Sequence, residues 1–104
     1  MFVAKVTGSV VATQKVDELV GSKLMVVEPF RLEAEKRKSL TTTGRTFVAV
    51  DTIGAGVGDF VLIVQGSSSR LTEQTKGMPI DALIIGIVDN VHVEDECVFD
   101  RNEN

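Results

Sequence analysis

The chain has 104 residues, 43% of them hydrophobic, which predicts a single domain with one modest core rather than a disordered segment. Its formal net charge is −4, from 15 acidic and 11 basic side chains, and it carries five Phe but no Trp or Tyr. That balance argues against nucleic acid and anionic membranes, which reward a positive face and, for single strands, stacking aromatics.

Short apolar blocks follow one another along the chain, separated by glycines rather than spaced as on a helix. They predict strands at Phe2 to Thr7, Val10 to Thr13, Leu24 to Glu28, Phe47 to Asp51, Phe60 to Gln65, Leu83 to Asp89 and Val91 to Glu94. Their Val and Ile content suits a pleated, half-buried surface. The expected fold class is therefore all-β: a small closed barrel, with at most one or two short helices, whose closure hides strand edges. Between the third and fourth strands, Arg31 to Arg45 is rich in charge and threonine, and it reads as a solvated excursion. Residues 1–99 are expected to form the domain, and 100–104 a polar tail that frays.

Two predicted strands carry more information than the rest. Phe60 to Val64, and Leu83 to Val88 with Gly86 inside it, are apolar on both faces. A strand covered by one core alternates, so a continuous run calls for a second cover. Either a neighbouring subunit or a loop or short helix of the same chain can supply it.

Chemistry-bearing residues are sparse. His92 is the single histidine, and Cys97 is the single cysteine, set among acids that would raise a thiol pKa. Asp51, Asp59, Asp81 and Asp89 fall at strand ends or turns, where carboxylates commonly orient backbone amides. No nucleophile, base and orienting group stand together, so no catalytic residue, metal site or cofactor is expected and the chain does not read as an enzyme. The glycine-rich stretch Asp51 to Asp59 lacks the third glycine of a dinucleotide loop, and a strand rather than a helix follows it. It reads as a tight connection between strands. Gly66-Ser67-Ser68-Ser69-Arg70 could cradle a small anion, or be a polar loop whose arginine binds carbonyls or a carboxylate; the latter is preferred, because no second basic residue stands nearby in sequence. No apolar run reaches the length of a membrane span, and Lys5 interrupts the apolar start as a signal peptide would not allow, so the cytoplasm is the expected compartment.

Six blocks, taken in order, carry a family likeness. They are Ala4 to Lys15, Leu19 to Leu24, Ala49-Val50-Asp51 leading into Gly54-Ala55-Gly56, Gly66 to Arg70, Pro79 to Ala82, and Gly86 to Asp89. In these the chain resembles the vertex proteins of bacterial microcompartment shells, the pentamer-forming family of ethanolamine-utilisation and carboxysome shells. The resemblance implies a five-stranded barrel of the oligonucleotide-binding type with accessory strands. It also implies a homopentamer at a shell corner, in contact with hexameric shell proteins of the same microcompartment. On that reading Ile53, Gly54, Ala55 and Gly56 are expected near the five-fold axis, and Gly66, Ser67, Ser68, Ser69 and Arg70 at contacts between subunits. The competing reading is a barrel that binds nucleic acid or a small anion.

Overall fold

The computed structural model describes residues 1–12, 23–32, 40–73 and 80–102. Its strands are β1 (Phe2–Val10), β2 (Lys23–Leu32), β3 (Leu40–Thr42), β4 (Phe47–Asp51), β5 (Phe60–Gln65), β6 (Ala82–Ile87), β7 (Asn90–Val93) and β8 (Glu96–Asp100). Among the described residues the one helical segment is a 3-10 turn over Gly66–Arg70. The all-β expectation holds.

Five strands close into a barrel. The order runs β1-β5-β6-β4-β2, and β2 returns to pair with β1. Every pairing in the ring is antiparallel except that of β4 with β6. Counting these strands alone, the circuit is first, second, third, fifth, fourth, which is the Greek-key barrel of oligonucleotide-binding folds. Strand β3 extends the sheet beside β2, and β7 with β8 forms a separate hairpin.

Alternation along each strand fills the interior. Ala4 and Val6, Met25 and Val27, Ala49, Val61 and Ile63, and Ala82 and Ile84 all point inward and are buried, with Ala55 joining them from the loop after β4. Alanine recurs because a five-stranded barrel has little room at its centre. Phe2, Phe47 and Ile87 pack against this cluster from its margins.

Several sequence expectations need adjustment. The predicted breaks for β4 and β5 coincide with the observed ends. Gly8 does not end a strand. It sits at a register shift inside β1, where a bulge lets the strand bend while pairing with β2 continues. Thr13 of the predicted second strand lies outside the described residues. The supposed excursion is partly sheet, since Arg31 and Leu32 belong to β2 and pair with Thr41 and Leu40 of β3, while Thr43 to Arg45 are not strand; residues 33–39 lie outside the described residues. Asp100 pairs with Asn90, and the Arg101 amide donates to the Asp89 carbonyl at 2.8 Å, so the chain is tied down beyond the point where fraying was expected.

The hairpin is fastened by aromatic rings. Phe60 lies between Phe30 and Phe99, with centroid distances of 4.7 and 3.7 Å and near-parallel planes. Arg101 adds ion pairs to Asp89 at 3.2 Å and to Asp59 at 3.8 Å.

Candidate functional site

Two loops were singled out by sequence, and the barrel sets them at opposite ends of β5. The loop after Asp51 leads into β5, and the Gly66–Arg70 turn leaves it. The intervening strand spans six residues, roughly 20 Å. They do not form one site.

The first loop is anchored at three points. Asp51 is the inward-facing last residue of β4 and its side chain is fully buried. Its Oδ1 accepts the Ile53 amide at 3.0 Å, and Lys23 Nζ lies 3.3 Å from its Oδ2. The same ammonium donates to the Ala55 carbonyl. The Ala55 methyl is buried in the barrel core. Further on, Asp59 Oδ2 accepts the Gly56 amide at 2.9 Å, while Val6 and the Gly58–Asp59 backbone exchange hydrogen bonds of 2.8 and 2.9 Å. Gly54 and Gly58 have φ of 92° and 97°, a conformation that disfavours any side chain. What the loop presents outward is Ile53, 47% exposed, with Gly54 and Val57. Of the four residues expected near an axis, Ala55 thus turns its methyl into the barrel core.

The second loop is sewn to the segment before β6. Ser69 Oγ donates to the Gly66 and Ile80 carbonyls at 2.6 and 3.2 Å, Arg70 NH1 donates to the Ile80 carbonyl at 2.8 Å, and the Gly66 amide donates to the Asp81 carbonyl at 2.7 Å. Ser69 is completely buried. Arg70 thus spends one of its five N–H donors on a backbone carbonyl, and the turn is a folded corner.

Between the two loops lies the outer face of the sheet. Val48 and Val50 on β4, Leu24 and Val26 on β2, Leu62 and Val64 on β5, and Leu83 and Ile85 on β6 alternate with the inward residues and point away from the core. Val50 and Leu83, paired across β4 and β6, are buried. Around them Val48 is 50% exposed and Ile85 39% exposed, an apolar rim open to solvent. Exposed apolar side chains on a sheet face are a candidate contact surface. Sequence reasoning found the β5 and β6 part of it; the β2 and β4 part escaped because those strands look like ordinary core strands.

His92 and Cys97 face each other across β7 and β8, and both are exposed. Among the described residues no group of three or more His, Cys, Asp or Glu is placed to hold a metal. Asp59 and Asp89 are bridged by Arg101, while Asp81 and Asp51 stand apart from them in separate roles.

Comparison with known proteins gives one consistent picture. The family model described as "Ethanolamine utilisation protein EutN/carboxysome" matches residues 1–89. The chain is 43% identical over 91 residues to the bacterial microcompartment shell vertex protein PduN of Salmonella typhimurium, covering 88% of this chain and 98% of that one. Its fold superposes on the structure of CcmL from Gloeobacter violaceus with a TM-score of 0.87 and 31% identity, over 99% of this chain and 100% of that chain. It is also similar to GrpN, a pentameric microcompartment shell protein from Rhodospirillum rubrum, with a TM-score of 0.73 and 41% identity over 89% of this chain and 98% of that chain. With barrel, loops and matched residues in agreement, the chain belongs to the EutN and carboxysome family of ethanolamine-utilisation and carboxysome proteins.

Proposed function

We propose that this chain is a structural protein, not an enzyme, that closes into a homopentamer and fills a vertex of a bacterial microcompartment shell in the cytoplasm. Its neighbours there are hexameric shell proteins of the same microcompartment. The observation that carries the reading is the likeness to GrpN, a pentameric shell protein, across nearly the whole barrel. The exposed apolar side chains of Val48 and Ile85 support it, because a ring of identical subunits joins two different, mutually complementary patches of each copy head to tail. In the ring, the Ile53 to Gly56 loop turns toward the five-fold axis, and the Gly66 to Arg70 turn takes part in contacts between neighbours. Residues 1–99 act as one unit in this assembly.

A flat lattice of six-fold tiles cannot close without five-fold corners. Co-expression with the hexameric shell proteins of one microcompartment should therefore give closed polyhedra in electron micrographs, and omission of this chain should leave open sheets or tubes. Equal numbers of closed shells with and without the chain would refute the vertex role.

A further inference from the structure

One buried contact lies outside everything the assembly reading uses. Lys23, the first residue of β2, and Asp51, the last of β4, are direct cross-strand partners that both face the mouth of the barrel. The Asp51 carboxylate is completely enclosed, while the lysine is half exposed. The carboxylate divides its oxygens. Oδ1 receives the Ile53 amide, whereas Oδ2 has no hydrogen bond and faces only the charge of Lys23 Nζ at 3.3 Å. The ammonium in turn reaches across to the Ala55 carbonyl. One lysine therefore clasps both ends of the segment from Asp51 to Ala55.

We infer that Lys23 and Asp51 are a positioning pair: they fix the shape of the Thr52 to Gly54 crest before subunits meet. A buried carboxylate left without a countercharge is costly, so the lysine cannot be removed alone without penalty. Charge-assisted bonds to a backbone carbonyl and from a backbone amide are also the stronger, more directional kind. A loop held in its final shape loses little freedom on docking, which favours association without adding a contact. The value of this for assembly rests on the proposal that the loop turns toward the five-fold axis; the clasp itself does not.

The test uses the full chain in two clasp variants and one comparator. Lys23→Met strands the Asp51 charge and risks unfolding. Lys23→Met with Asp51→Asn removes both charges, keeps an acceptor for the Ile53 amide, and separates stability from positioning. Amide hydrogen exchange at Ile53 and Gly56 is measured beside Val61 and Ile63 as core references, with light scattering on the same samples. In the double variant the loop amides should exchange about tenfold faster, with the core references unchanged, as expected for local opening. Exchange at Ile53 and Gly56 within experimental error of the parent would overturn the inference.

Ile53→Asp serves as the comparator, since it leaves the clasp intact. If it dissociates the ring, the double variant must exchange faster than this dissociated chain, or the clasp contributes nothing. If it leaves the mass unchanged, the axial reading fails while faster loop exchange in the double variant still supports the clasp.

Discussion

Ser69 shows how much a single hydroxyl can organise. It is fully enclosed, and its Oγ ties the start of the 3-10 turn to the segment before β6 by donating toward two carbonyls. Ser69→Ala leaves the Ile80 carbonyl with Arg70, but takes the donor from Gly66. The expected cost is about 1 kcal/mol, the usual net value of one internal hydrogen bond, read as a lower urea midpoint with an unchanged slope. At this scale the sequence is partly legible. The serine cluster and Arg70 announce a polar corner, and Asp59 announces a turn that its carboxylate does cap at Gly56. Lys23 was silent. It lies 28 positions before Asp51 and 32 before the Ala55 carbonyl, and only strand register brings the three together. Ala55 was ambiguous for a related reason, because a small residue among glycines gives no sign of whether its methyl meets a core or a neighbour.

The elements divide by how strongly they alternate or accumulate apolar residues. Strands β4 and β5 could be bounded from sequence because Val, Ile and Phe fill them and glycine-bearing turns flank them. Strand β3 has the sequence Leu40-Thr41-Thr42 and β8 has Glu96-Cys97-Val98-Phe99-Asp100, too little apolar content to stand out from surrounding charge. Their pairing partners, not their own composition, make them strands. A two-stranded hairpin is marginal by itself, so β7 and β8 depend on the ring stack of Phe30, Phe60 and Phe99. Phe99→Ala removes one stacked ring and its half-buried surface. The hairpin should lose about 2 kcal/mol, less than a fully buried phenylalanine would cost. Hydrogen exchange should speed up at Val91 and Val98 while Val61 and Ile63 keep their protection. Arg101→Ala, which removes one exposed and one half-exposed ion pair, should change the same amides by less than about 1 kcal/mol.

At the scale of the whole molecule, the barrel solves one burial problem and leaves another. Its interior is filled by small and branched side chains and needs nothing further. Its outer face carries valine, leucine and isoleucine on four of five barrel strands, with Val48 and Ile85 open to solvent. Sequence revealed this as the two runs apolar on both faces, although composition could not say whether a loop or another copy covers them. Val48→Asp adds a charge to that rim without entering the core, so the monomer should keep its unfolding free energy in urea within about 0.5 kcal/mol while the assembly dissociates. Loss of the monomer fold itself would show that Val48 serves the core instead. The vertex role stands on association of this chain with itself, and solution mass is its most direct measure. Light scattering or native mass spectrometry on the purified chain should give five times the 11.2 kDa protomer. A species that stays at 11.2 kDa as concentration rises would contradict it.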